Sequence, residues 1–383
     1  MRLMESDPAA APQAVRAEVV AEGRRLAPWH LDVEIAPGLS TRELAAAPYD
    51  EQEFGKVRLI DSRPRFMRTL GDVFPRGLEG RSMLDVACNC GAFLYWARDA
   101  GAGECLGIDV RAHWIEQARF LARNRVAPSE GMRFEVRDLY ELPRLGLEPF
   151  DVTLFNGIFY HLPEPLTALR IAADLTRELL IVNTGSRIDL PDGLLAAFEE
   201  SPTRAISGVY GLSWFPTGPD VVARMLSHVG FPEVRSVWWE ALERQPPGHA
   251  RLELVAARSP DALAALDAAV AAAGPALETA LRTRVPPGAQ VLVADPARAG
   301  SLPAAAHREV VPFPAADDGD PVAELEARRR DGATHLAIPA AAAEWFETAA
   351  PLRRHVRSSY GVVAERAGEF VLHSLLARRA GTA

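Results

Sequence analysis

The sequence predicts an α/β protein: a seven-stranded, mostly parallel sheet wrapped by helices, followed by a smaller α/β domain. Three observations lead there. The stretch Met83–Phe93 runs from an apolar strand through Asp85 into a loop of small residues ending at Gly91, then into an apolar helix reaching Ala100. A strand, loop and helix in that order leave free N–H groups at the helix start, and small residues let a ligand come close to the backbone. Four more strand patterns follow, each leading into a helix or an irregular stretch, and two of them end in acids, Asp109 and Asp138. A pair of strands, Glu233–Glu240 and Arg251–Arg258, then closes the unit as a terminal hairpin.

Composition sets the outer limits. The chain has 383 residues, which argues for more than one domain. With 48% hydrophobic and 24% charged residues it has the make-up of a globular protein with ample core. A net charge of −9 argues against a broad phosphate-binding surface. Three cysteines are too few for a disulfide scaffold. Cys88 and Cys90 form a C-x-C with no second ligand pair nearby, so they read as loop packing and no metal is expected. The opening MRLMESDPAAAPQ has no apolar run after its charges, so no signal peptide is expected. No stretch approaches the roughly 18 apolar residues of a membrane span. The expected location is the cytoplasm.

Residues 1–80 are expected to form a helical and lid segment. An Ala- and Arg-rich helix fills most of 1–27, and Trp29-His30 precedes a Pro37-Gly38 turn. Segments ahead of the first core strand often close over a ligand mouth, so Trp29 and His30 are placed at the substrate pocket, with simple packing of Trp29 equally open. Ser62 is expected to cap a helix from Phe66 to Phe74, with Pro64 in its first turn. Residues 81–258 form the ligand-binding domain. Its strands are expected at 83–86, 104–109, 132–138, 150–156 and 178–184, before the terminal pair. Residues 186–218 read as an irregular, aromatic insertion holding Tyr210 and Trp214, expected to wall the substrate site. Residues 259–383 begin with an alanine-rich helix and continue as a small accessory α/β domain. Its strands are expected near 290–295, 334–338, 359–365 and 369–375, with no recognisable catalytic set.

The loop spacing narrows the ligand. Dinucleotide folds want G-x-G-x-x-G. Here the small positions fall two apart, at Ala87, Asn89 and Gly91, with Asp85 two before them. Asp109 comes one βα unit later, near the roughly 20-residue spacing of an acid that holds ribose hydroxyls. Asp138 reads as a second ligand acid, as the N-cap of the helix that follows, or as both at once.

In these residues the chain resembles the class I S-adenosylmethionine (SAM) methyltransferases, whose first motif is acidic-x-G-x-G-x-G on a Rossmann-like seven-stranded sheet. More narrowly, residues 28–258 resemble the group around the bacterial enzyme that completes a 5-oxyacetyl modification on tRNA wobble uridine, and the related natural-product and sugar methyltransferases. That resemblance rests on Asp85–Gly91, Gly107-Ile108-Asp109, Asn156–Leu162 and Trp214–Thr217. It implies SAM as cofactor, with Asp85, Ala87, Asn89, Gly91, Asp109, Asp138 and Asn156 lining its site. The tRNA enzyme itself uses a carboxylated SAM, gripped by basic and aromatic residues ahead of the first motif. The tail resembles small domains appended to bacterial glycan-processing proteins, which tilts the substrate toward a sugar-bearing or secondary-metabolite molecule.

SAM carries an activated methyl, so the protein must chiefly align a nucleophile and exclude water. For a hydroxyl acceptor a base near neutral pKa helps. His161, just past the fourth strand, is the first candidate and His30 the second; a structural role for His161 stays open. Trp29, Tyr160, Tyr210 and Trp214 are the candidate substrate contacts. The leading expectation is methyl transfer to a hydroxyl or amine of a small molecule in natural-product biosynthesis. The alternatives are a tRNA wobble-uridine enzyme and a non-catalytic SAM-binding protein. Neither nucleic acid nor membrane is an expected partner, and a homo-oligomer stays open.

Overall fold

The computed structural model describes residues 10–45, 59–127, 129–191, 193–240, 248–272, 276–295, 302–303, 307–314, 319–366 and 369–377. The stretch between the two strands of the expected terminal hairpin, and that after Asp295, lie largely outside them.

The larger sheet has seven strands: β1 (Met83–Val86), β2 (Cys105–Asp109), β3 (Met132–Val136), β4 (Phe150–Asn156), β5 (Thr176–Arg187), β6 (Glu233–Glu240) and β7 (His249–Ala257). Their order is β6-β7-β5-β4-β1-β2-β3. Strands β1 to β5 run parallel, while β7 is antiparallel to both β5 and β6. The central strands are buried on both faces, as parallel sheets require: all four residues of β1 and all five of β2 are buried. Two apolar cores result. One lies under helices Arg63–Val73, Ala92–Asp99 and Ala112–Asn124, the other under Pro165–Asp174 and Pro219–His228.

The order places the ligand edge. Chain direction reverses its crossover at β1, between β2 and β4, so a crevice opens beyond the carboxyl ends of β1, β2 and β4. Asp85, Asp109 and Asn156 all stand at that edge.

Several expectations need correction. The segment ahead of β1 packs along helix Ala112–Asn124, the Pro28 carbonyl accepting Gln117 Nε2 at 2.9 Å. Trp29 is fully buried; its indole N–H donates to Gly23 O at 2.9 Å, and its ring packs on Phe120 with centroids 5.8 Å apart. Further along, Val126 N–H donates to Ile35 O at 3.0 Å. Helix Ala112–Asn124 ends there, at the opposite end of the sheet from the crevice. The segment is therefore core, drawn in by Leu31, Val33 and Ile35. Ser62 makes no side-chain cap; Asp61 instead accepts the Arg63 N–H at 3.1 Å, and the helix begins at Arg63. Residues 186–218 are not wholly irregular, because Leu195–Glu199 and Leu212–Pro216 pair as an antiparallel hairpin.

The second sheet has five strands: β8 (Gln290–Ala294), β9 (Glu309–Phe313), β10 (Ala333–Pro339), β11 (Tyr360–Arg366) and β12 (Phe370–Ala377), ordered β9-β8-β10-β12-β11. Strand β9 escapes a sequence reading because Pro312 interrupts it. Proline is tolerated there because β9 is an edge strand. A further unexpected helix, Ala276–Arg284, packs on β6. Arg308 pins the two sheets together: its guanidinium donates to Trp239 O at 2.6 Å and Arg282 O at 3.0 Å.

Candidate active site

The loop after β1 has an unusual backbone. Ala87, Asn89 and Gly91 all adopt left-handed φ, at 61°, 51° and 78°. These are the three positions at which the expected motif carries glycine. Alanine in that region costs roughly 1–2 kcal/mol and asparagine less, so the loop keeps a glycine path with only one glycine. Asn89 eases its own strain: its side-chain Oδ1 accepts the Cys90 N–H at 2.8 Å. Gly91 has no freedom to change, because a Cβ there would lie 2.5 Å from Phe134 Cε1.

Asp85 is completely buried, and among the described residues neither of its carboxylate oxygens has a hydrogen-bond partner. Burial, followed by the nearby charge of Asp109, pushes its pKa well up. An unpaired buried carboxyl is costly and marks a place where a ligand donor is awaited. Asn156 at the end of β4 has a buried, partnerless Oδ1 among the described residues as well. Asp109 is held differently. It accepts the Asn89 N–H at 3.0 Å and the Arg111 N–H at 2.9 Å, while burial raises its pKa to about 6. The ribose-type acid of β2 is thus joined to the loop of β1.

Asp138 caps the turn that follows: it accepts the Tyr140 N–H at 2.9 Å. Its other oxygen accepts the Tyr210 hydroxyl at 2.6 Å, so Tyr210 is turned to Asp138. Trp214 donates to Pro163 O at 3.1 Å, which ties the hairpin to the turn before helix Pro165–Asp174.

Tyr160 and His161 stand on a single 3-10 turn after β4, their ring centroids 4.0 Å apart. The Phe215 ring centroid lies 5.0 Å from that of Tyr160. His161 Nδ1 sits 2.8 Å from the Glu200 carboxylate and receives the Gly208 N–H at 3.0 Å. A ring nitrogen that accepts an N–H has no proton to give a carboxylate, so Nδ1 bonds Glu200 or Gly208 but not both at once, and either contact fixes the orientation of the ring. His30 stands on the N-terminal segment, its carbonyl accepting the Ile60 N–H at 2.9 Å.

The sequence reading missed a polar chain behind this edge. Glu253 on β7 is buried and accepts Thr69 Oγ1 at 2.6 Å, Trp238 Nε1 at 3.2 Å and Asn183 Nδ2 at 3.0 Å. Asn183 Oδ1 in turn accepts two Arg251 bonds, at 3.0 and 2.6 Å. Arg65 stacks on Trp238, its guanidinium carbon 4.1 Å from the ring centroid. The available signal was a carboxylate between two leucines inside a strand, at Glu253. Glu200 gave none. A cavity of about 310 Å³ lined by Asp32, Glu34, Glu43, Asp61 and Trp96 lies on the N-terminal segment and includes none of these groups.

The family described as "Methyltransferase domain" matches residues 78–209. This span is a class I methyltransferase domain. Among curated relatives, the tRNA U34 carboxymethyltransferase of Ectopseudomonas mendocina is 28% identical over 168 residues, 42% of this chain and 48% of that protein. That of Tolumonas auensis is 29% identical over 179 residues, 44% of this chain and 49% of that protein. The chain thus spans about half the length of the curated relatives it matches. A solved structure, the N-terminal domain of EvdMO1 in the presence of SAH and D-fucose, is 20% identical with a TM-score of 0.49, covering 63% of this chain and 96% of that one.

Methyltransferase domains of this kind use SAM. The residues of the edge fit that group. Asp85 and Asn156 offer unpaired buried acceptors to an amino group, and the left-handed loop keeps its backbone bare of long side chains. Asp109 offers remaining lone pairs to hydroxyls.

Proposed function

We propose that this chain transfers the methyl group of SAM to a hydroxyl or amine of a small molecule. The observation that carries the reading is the conjunction at one sheet edge of the unpartnered Asp85 carboxyl, the three left-handed loop residues and the loop-bound Asp109. SAM, when bound, supplies a methyl on a positively charged sulfur, ready for attack. Asp85 and Asn156 would hold the amino end of the donor, and Asp109 its ribose. Asp138, held by Tyr140 and Tyr210, would stand beside the nucleoside. His161 would take the acceptor's proton, oriented by Glu200. Tyr160 and Phe215 would form an aromatic wall that excludes water. Trp29 has no part in this scheme, since it is packed into the core.

Native mass spectrometry of the purified protein, followed by titration with S-adenosylhomocysteine, tests the reading. A bound mass of donor or demethylated product is expected, and Asp109→Ala should weaken binding at least tenfold. A site indifferent to both ligands would refute it. His161→Ala should reduce turnover while sparing cofactor affinity; full activity would make the histidine structural.

A second reading is supported by one pair of residues and by the relatives' name. Arg65, ahead of the first motif, stacks on Trp238, a basic and aromatic pairing that suits a carboxylated donor and thus a carboxymethyl transfer to tRNA. A bound mass heavier by one carboxyl group, with salt-dependent retention on tRNA, would favour it. The net charge of −9 weighs against it.

A further inference from the structure

Residues 200–211 form a closed loop that crosses the carboxyl ends of β2, β3 and β4. Its neck is closed by the Glu200 N–H donating to Gly211 O at 3.1 Å. At its tip, Arg111 Nη2 reaches three carbonyls: Pro202 and Arg204 at 3.0 Å, and Ser207 at 2.9 Å. Ala205 is buried in that tip together with Trp114. On the return, Gly208 sits so close to His161 that a Cβ would lie 2.7 Å from its carbonyl oxygen and 2.8 Å from Glu200 Oε2. Tyr210 then reaches Asp138.

One residue thus touches both halves of the edge. The Arg111 N–H is held by Asp109, and the Arg111 guanidinium gathers the loop that carries Glu200 and Gly208 onto His161 Nδ1. The bonds inside the tip are short-range turns, Arg204 N–H to Ser201 O at 3.3 Å and Ser207 N–H to Arg204 O at 3.2 Å. Three carbonyl dipoles pointing at one place repel one another unless a cation stands there, and the positive Nη2 group, with two N–H to share among them, supplies it.

We propose that Arg111 is a positioning residue that couples the ribose acid Asp109 to the His161–Glu200 pair by clamping the 200–211 loop over the cofactor edge. The inference rests on the methyltransferase reading of that edge. Cofactor engaging Asp109 steadies the Arg111 backbone, and the clamped loop sets the imidazole. Release of the clamp frees the loop and with it the orientation of the base.

The test uses the full chain and Arg111→Ala. Two readouts need no acceptor: imidazole ¹⁵N shifts of His161, assigned by their loss in His161→Gln, and trypsin cleavage after Arg204. The expected result is at least tenfold faster cleavage, changed His161 shifts, loss of protection by S-adenosylhomocysteine, and recovery of all three on adding guanidinium ion. Unchanged His161 shifts in a folded Arg111→Ala protein would overturn the proposal. If that variant does not fold, Arg111→Gln, which keeps a donor but loses the charge, is read in the same way. Calorimetric titration of the unaltered protein with S-adenosylhomocysteine is a separate arm. Its failure refutes the methyltransferase reading, and the coupling to cofactor with it, whereas the shift and cleavage arms of ligand-free protein report on the clamp alone.

Discussion

Gly91 and Phe134 compete for one volume: a Cβ on Gly91 would lie 2.5 Å from Phe134 Cε1 and 2.8 Å from Cζ. The same ring lies 2.7 Å from a Cβ built on Gly107. Phe134 on β3 thus reaches across β2 and underpins the loop after β1, so two glycines answer to one aromatic residue.

Gly91→Ala should therefore carry two costs. The left-handed backbone adds about 1–2 kcal/mol, and overpacking against the ring adds about 1–3 kcal/mol. Phe134→Leu should relieve only the second. Denaturant unfolding of the four proteins in a double-mutant cycle measures it; equal penalties in both backgrounds would rule out the steric account.

Ala87→Gly removes the methyl from a residue held at φ 61°. Relief of about 1 kcal/mol of backbone strain is partly offset by the freer unfolded glycine. Stability should be unchanged or higher by up to about 1 kcal/mol, with donor affinity retained. A clear loss of stability would show that the Ala87 methyl packs usefully.

Asp85→Asn should separate stability from binding. Burial raises the Asp85 pKa in the folded protein, so over the interval above the ordinary carboxylate range the folded chain holds a proton that the unfolded chain has released. Stability contributed by this group falls as pH rises through that interval. The amide does not titrate, so the variant should melt higher than the unaltered protein at neutral pH, with a flatter pH dependence and donor affinity reduced at least tenfold. Thermal scans from pH 4 to 8 with a parallel binding titration decide it; a lower melting point at neutral pH would contradict the burden assigned to this carboxyl.

His335 predicts the opposite slope in the second sheet. It is buried in β10, and burial lowers its pKa to about 4. Between its ordinary value near 6.5 and that value the unfolded chain binds the extra proton, so stability is lost as pH falls from 6.5 toward 4. At about 1.4 kcal/mol per pH unit the loss reaches a few kcal/mol. His335→Gln should shallow this acid limb, and an unchanged limb would clear His335 of responsibility.

What was legible in the sequence follows the range of the interactions involved. Strands β1 to β5 and the acids Asp85 and Asp109 at their ends could be read locally, because a buried parallel strand is an unbroken apolar run and its ligand acid sits at its end. The hairpin Leu195–Glu199 with Leu212–Pro216 could not, since Leu-Ala-Ala-Phe-Glu has weak strand preference and pairing across the insertion makes it a strand. Nor could β9, whose Pro312 only an edge position accommodates.

The roles of single aromatic and polar residues divide in the same way. By itself the sequence determined the sheet, the loop register from Asp85 to Gly91 and the order of the strand-terminal acids, because these depend on neighbours a few positions away. Only the tertiary structure decided that Trp29 is core, that Glu200 faces His161 and that Arg111 holds the loop between them. The contacts Trp29–Phe120, His161–Glu200 and Arg111–Ser207 span long stretches of chain, and no local preference encodes a partner that the folding of the whole sheet brings into reach.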